Sequence, residues 1–281
     1  MSSTATPISN YCQSFIFNDL HVRGNVVKLT DVYQTITSLQ EIEGCAADLL
    51  GQVLVAAAML IQSIKTPSDL TIQFQSDHAI KLLAVKIDTA GNMRATISCK
   101  SEPKQALLGT GLLVVTLHQH NSTKPHQSII EVYEGQTISQ ALARYFIQSE
   151  QIPTLFYFAC DGDSATGMMI QQDQGMVAAE DWNTLSHLFC SITHDELLKL
   201  TSETIIYRLF NEFSINIFEQ KNINFKCTCS LEKMQSAIMS LGEDDAKELL
   251  KTNRLIEVLC EYCKNHYGFD KNDIQTIFNK H

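Results

Sequence analysis

FKCTCS at residues 225–230 and LCEYCK at residues 259–264 place four cysteines in two close pairs. Cys227 stands with Cys229 and Cys260 with Cys263, and thirty residues separate the pairs. The stretch from about 225 to His281 is short and holds few large apolar residues. A segment that small is marginal without a staple. Four thiols can supply one, because a closed four-cysteine shell is structural zinc chemistry. Structural zinc in peptides of this kind contributes roughly 10–16 kcal/mol, enough for most of such a module's folding. His266 offers a Cys-x-x-His alternative at Cys263, but the four cysteines already complete the shell. The same thiols can instead close two local disulfides. Metal-bound thiols are deprotonated and open to oxidants. The spacing therefore leaves two readings open: a permanent zinc clip, or a switch that loses its staple on oxidation.

Outward from those pairs, the chain is acidic, with 21 Lys and Arg against 31 Asp and Glu and a net charge of -10. Such a surface repels phosphate backbones, and no Lys/Arg run makes a local basic patch, so nucleic-acid binding is not expected. The most apolar helical stretch is LLGQVLVAAAMLIQSI, residues 49–64. It falls short of the roughly 20 residues of a membrane span and carries Gln52, Gln62 and Ser63, so a buried core helix is expected and no membrane contact. The start, MSSTATPISNYCQ, lacks the charged head and apolar stretch of an export signal. A cytoplasmic location follows as the expectation, and structural disulfides do not. The five cysteines outside the pairs, Cys12, Cys45, Cys99, Cys160 and Cys190, read as buried small apolar residues.

The patterning predicts an α+β protein in three parts: a mixed α/β domain with β-sheets over 1–174, a helical linker over 175–225, and a four-cysteine module over 226–281. Helical spacing runs over 31–39 and 45–65. Strands are expected over 70–75, 80–88 and 93–100, the last two joined by TAGN at 89–92, and then over 112–117 and 129–133. Met93, Ala95, Ile97 and Cys99 would share one face. A helix over 138–148 and strands over 155–159 and 167–171 close the domain. From Ala178 to about Glu212 the texture is helical, with a capping box at Thr193 and Glu196. That segment has little core of its own and must lean on a neighbour. In the last module, Ser230 caps a helix that stops at Gly242, Ile256, Val258 and Cys260 alternate as a strand, and Asp270 caps a final helix.

Other motifs carry less. LHQHNSTKPH, residues 117–126, contains His118, His120 and His126, and an HxH pair can bind metal; with no carboxylate nearby it reads as a solvent-exposed loop. GTG at 109–111 is too sparse for a phosphate cradle. Ser149 and Glu150 read as a structural helix end, and no Ser/His/Asp arrangement suggests an enzyme. Two rival functions stay in view. A thiol–disulfide oxidoreductase would use Cys260 and Cys263, but would need that pair at the start of a helix following a strand. A zinc-ribbon adaptor for nucleic acid is opposed by the net acidity.

The flanks of the cysteines add a resemblance. FKCTCSLEKM, LGEDDAKELL and IEVLCEYCKNHYGFD resemble the redox-switch domain of the 33 kDa chaperonin family, the redox-regulated heat-shock holdases. VRG at 22–24, LLGQVLVAAAML, LTIQFQSD, LLGTG at 107–111 and YFIQSEQIPT at 145–154 are similar to its N-terminal domain, and DELLKLTSETIIYRLFNE to its linker. The resemblance implies an ATP-independent chaperone for unfolding proteins. Its reduced form holds one Zn2+ on Cys227, Cys229, Cys260 and Cys263 and is nearly inactive. It further implies that oxidation forms disulfides Cys227–Cys229 and Cys260–Cys263, ejects zinc, unfolds the switch and linker, and favours a homodimer. Two departures stand out: SerAspHisAla at 76–79 replaces the family's usual Gly-Asp-Gly-Pro turn, and HisGlnSer at 126–128 its Tyr-Gln-Gly.

Overall fold

A computed structural model describes residues 10–173, 175, 177–252 and 254–279. Residues 1–9 of the start read for an export signal lie outside the described residues, as does residue 174 at the boundary drawn before the linker. The chain divides into one unit running to Phe225 and another beginning at Lys226.

The first unit starts with strands β1 (Tyr11–Phe17) and β2 (Val22–Leu29) and helices α1 (Asp31–Gln40) and α2 (Gly44–Ile61). Strands β3 (Ser68–Gln75), β4 (Ile80–Asp88), β5 (Asn92–Cys99), β6 (Gly111–Gln119) and β7 (His126–Val132) follow. Helix α3 (Ile138–Tyr145) leads through one π-turn to β8 (Thr154–Cys160) and β9 (Ala165–Gln172). Three short helices, α4 (Ala179–Cys190), α5 (His194–Lys199) and α6 (Ser202–Phe210), precede β10 (Ile215–Ile217), β11 (Lys221–Asn222) and β12 (Asn224–Phe225). Residues 215–225, expected within a helical linker, therefore carry three short strands instead: β10 and β11 pair with β1, and β12 pairs parallel with β5.

One sheet has the order β10-β1-β2-β9-β8, with β11 also on β1; the other runs β12-β5-β4-β3-β6-β7. Helix α2 lies between them, touching β2, β8 and β9 of the first and β3, β4 and β5 of the second. This placement explains its composition: a helix with a sheet on either side has no wet face, so it is apolar all round. It is long and apolar enough to cross a membrane, yet it is a core helix, with Leu49, Leu50, Val53, Leu54 and Val55 fully buried. Close approach needs glycines. A Cβ on Gly51 would lie 2.8 Å from Cys160 Sγ, and one on Gly167 would lie 2.6 Å from Val55 Cγ1.

Strand alternation splits the first sheet's residues between two cores. Val27, Leu29 and Met169 face α2, while Phe15, Phe17, Val22, Val26, Met168 and Ile170 face α4–α6. The helical layer answers with Leu185, Phe189, Leu197, Ile205, Ile206 and Phe210, all buried. The Thr193 capping box forms as the sequence implies, with Thr193 Oγ1 accepting from the Glu196 amide and Glu196 accepting from the Thr193 amide.

Lys28 breaks the apolar face of β2. It is 5% exposed, and its ammonium donates to the carbonyls of Leu197 and Leu198 in the last turn of α5. Burial pulls its pKa down to about 8. In the unfolded chain the same group titrates near its ordinary value of about 10.4. Between those values the unfolded chain binds the extra proton, so this group's contribution makes stability rise with pH from about 8 to about 10.4 and leaves it level below 8, where both states are protonated. Buried thiols such as Cys12, pushed up to about 12, pull the other way in the same window, so the difference in stability between wild type and Lys28→Met, from thermal melts stepped across it, should carry this rise. An unchanged slope in the variant would remove Lys28 as its source.

The scattered cysteines do not all behave as small core residues. Cys12 is buried and Cys45 and Cys160 are half-buried, but Cys99 and Cys190 are exposed. Met93, Ala95 and Ile97 hold to the buried face of β5 as expected, while Cys99 ends the strand where the ladder to β4 bulges. Cys190 ends α4 on the side away from Leu185 and Phe189.

Candidate metal centre

The second unit is built from helices α7 (Leu231–Leu241) and α8 (Glu243–Thr252), the hairpin β13 (Ile256–Leu259) with β14 (His266–Phe269), and helix α9 (Lys271–Asn279). Local chemistry sets each boundary. Ser230 accepts from the Lys233 amide at the start of α7, and Gly242 stops that helix at φ 101°. Asp270 Oδ1 accepts from the amides of Asn272 and Asp273 to open α9. The core is small: Ile238, Ala246, Ile256, Phe269, Ile274 and Ile277.

The four paired cysteines converge in this unit. Cys227 and Cys229 arrive on the extended segment that enters α7. Cys260 and Cys263 sit in the turn between β13 and β14, so Cys260 follows the strand rather than alternating within it. That turn is held by Lys264 N to Cys260 O at 2.8 Å and Cys260 N to Asn265 O at 2.9 Å, with Lys264 in the left-handed region at φ 58°. The pair is not at a helix start, which removes the geometry a thioredoxin-like exchange site needs.

All four sulfurs lie within 4.8 Å of one another, and they can hold a metal ion. Cys227 Sγ is 3.7 Å from Cys260 Sγ, and Cys229 Sγ is 3.4 Å from Cys263 Sγ. A tetrahedron with metal–sulfur bonds of about 2.3 Å has edges of about 3.8 Å, so the donor set fits a single ion. A disulfide holds its sulfurs at about 2.05 Å, so the four cysteines are free thiols here. Cys260 is buried and the other three are half-buried. His266 begins β14 with its side chain exposed.

The thiols are electrostatically unequal. The Tyr267 hydroxyl donates to Cys229 Sγ at 3.1 Å and holds that thiol down to about 7. Burial pushes Cys227 up and Cys263 up to about 12. Four thiolates packed this closely repel one another, and a divalent cation between them removes that repulsion.

The other sequence candidates lie elsewhere. All three histidines of 117–126 are exposed as expected, but only His120 lies in the loop: His118 is in β6 and His126 opens β7. Ser149 and Glu150 end the π-turn after α3, where Glu150 accepts from the Tyr145 hydroxyl.

A body of two sheets around a buried helix, followed by a small unit in which four cysteines lie within reach of one ion, defines an α+β protein with a candidate metal site in its last module. Comparison with known proteins is narrower. The model of the family described as Hsp33 protein matches residues 10–270. The 33 kDa chaperonin of Yersinia pestis (strain Pestoides F) is 32% identical over 285 residues, covering 97% of each chain. That of Yersinia pseudotuberculosis serotype O:1b (strain IP 31758) matches equally. The crystal structure of the 33 kDa chaperonin, a heat shock protein 33 homolog, from Thermotoga maritima superimposes with a TM-score of 0.84 at 20% identity, covering 96% of this chain and 98% of that one. The chain belongs to the Hsp33 family, a family of chaperones.

Proposed function

We propose that this chain is a redox-regulated, ATP-independent holdase of the cytoplasm. The observation that carries the reading is the convergence of four sulfurs within a unit whose own core is six buried apolar residues. In the reduced protein Cys227, Cys229, Cys260 and Cys263 would hold one Zn2+, which keeps all four as thiolates and ties the ends of the unit together.

Oxidation acts on the sulfurs. Attack of one thiolate on a peroxide oxygen breaks the O–O bond and leaves a sulfenic acid, and its neighbour then displaces that oxygen to form the disulfide. Each pair gives up two electrons, one peroxide is reduced, and two protons from solvent complete two waters. Family likeness supports pairing Cys227 with Cys229 and Cys260 with Cys263. With the donors consumed, the unit loses its staple and unfolds. The proposal extends to the short helices α4–α6, whose departure bares the Phe15, Phe17, Val22, Val26 face of the first sheet. Exposed apolar surface binds unfolded chains without sequence specificity. The same surface favours association of two oxidised copies.

Zinc release, read with a metallochromic dye, and light scattering of a heat-denatured client are the paired measurements, before and after peroxide with mild heat. The expected result is zinc release together with suppressed aggregation. Oxidised protein that releases zinc and never suppresses aggregation sinks the proposal.

A further inference from the structure

The register of the second sheet brings Asp69 beside the His118–His120 pair, nearly fifty residues further along the chain. In the β3–β6 pairing Asp69 stands directly opposite His118, and Ser68 opposite Gln119. One residue beyond the strand, the His120 amide donates to Pro67 O at 3.0 Å, which keeps His120 in line with β3. Residues 118 and 120 point to the same face of the pleat as Asp69. His120 Nε2 lies 3.1 Å from Asp69 Oδ2, and the rings of His118 and His120 have centroids 6.3 Å apart. Asp88 adds a second carboxylate to the row, opposite Asp69 on β4. Its oxygens are taken by the amides of Ala90 and Asn92 and the Asn92 side chain, so it contributes negative field rather than a free ligand.

We propose that His118, His120 and Asp69 form a second metal site, for a borderline divalent cation such as Zn2+, Ni2+ or Co2+, with water completing the shell. Two of the donors already stand at the bite of such an ion. Metal–nitrogen and metal–oxygen bonds of about 2.0–2.1 Å at near-tetrahedral angles put N and O about 3.1–3.4 Å apart. Two imidazoles on one such ion have centroids about 5 Å apart, so His118 must close by roughly 1 Å. It is exposed and can do so by rotating its side chain. His120 and Asp69 are about half exposed, at 52% and 54%, which leaves the ion a path from solvent. Imidazole and carboxylate suit these borderline ions, whereas the cysteine cluster offers only sulfur. Thiol oxidants therefore empty one site and spare the other. The proposal does not depend on the holdase reading.

The test uses the full, zinc-loaded chain titrated with Co2+ while the visible spectrum and heat are recorded. One further equivalent is expected, with weak ligand-field bands and no sulfur-to-metal charge-transfer band. His118→Ala/His120→Ala should abolish it, and Asp69→Asn should weaken it about tenfold. All three side chains are exposed, so an unchanged thermal melt will show the variants folded. After peroxide treatment the equivalent should remain. No uptake beyond the cysteine site, uptake that carries the sulfur band, or uptake that survives the double variant would each overturn the assignment.

Discussion

Cys260→Ser is expected to unfold residues 226–281 while residues 10–225 keep their fold. Cys260 is the buried member of the four and closes the β13–β14 turn with its own backbone. Serine keeps the volume within one atom, so lost packing is small. What goes is one sulfur of a set that fits a single ion, and a three-thiol remnant with a hydroxyl in place of the fourth binds zinc far more weakly. Metal binding of roughly 10–16 kcal/mol is folding free energy in a module of this kind. The six buried apolar side chains among the described residues cannot stand in for it. Amide dispersion is the measurement. Signals from Ile256, Val258, Tyr267 and Phe269 should collapse toward random-coil positions, zinc content should fall to near zero, and signals from α2 and both large sheets should stay. If the hairpin signals remain dispersed in the zinc-free variant, the thiols are not what holds the unit.

The cysteine centre was legible in the sequence because ligand spacing is a covalent fact: Cys-x-Cys and Cys-x-x-Cys present their sulfurs locally whatever surrounds them. Helix α2 was legible for the opposite reason, since its lack of a polar face reports a helix enclosed on all sides. Strands β1 and β2 were not. Nearly every residue of β2 is buried, so the period of two that marks a half-wet strand is absent, and Lys28 interrupts what apolar run remains. Strands β10–β12 are two or three residues long, too short for any period, and exist because β1 and β5 offer them edges. The HxH pair read as a loop without a carboxylate because Asp69 is nearly fifty residues upstream. Only the β3–β6 register places it beside His120. Local chemistry carried over from sequence to structure; non-local pairing did not.

Phe210→Ala should release the α4–α6 layer without any oxidant. Phe210 is 1% exposed and packs its ring against Phe17 at 5.1 Å and Phe15 at 6.2 Å. Removing a buried phenyl costs about 3–5 kcal/mol, since the cavity closes only in part. The three helices have 12, 6 and 9 residues, lengths at which an isolated helix is not stable in water. The loss therefore falls on a layer that has no reserve away from the sheet. Amide exchange in α4–α6 should speed by roughly two to three orders of magnitude, at about 1.4 kcal/mol per tenfold. Amides of β3, β4 and β6 should hold, because they belong to the other sheet. The cysteine unit is untouched by the substitution, so zinc should stay bound and the thiols reduced. Under those conditions the variant should suppress client aggregation, which separates the apolar face from the oxidation proposed to uncover it. Fast exchange in α4–α6 with zinc retained and no gain in suppression would show that clients bind somewhere other than the Phe15–Val26 face.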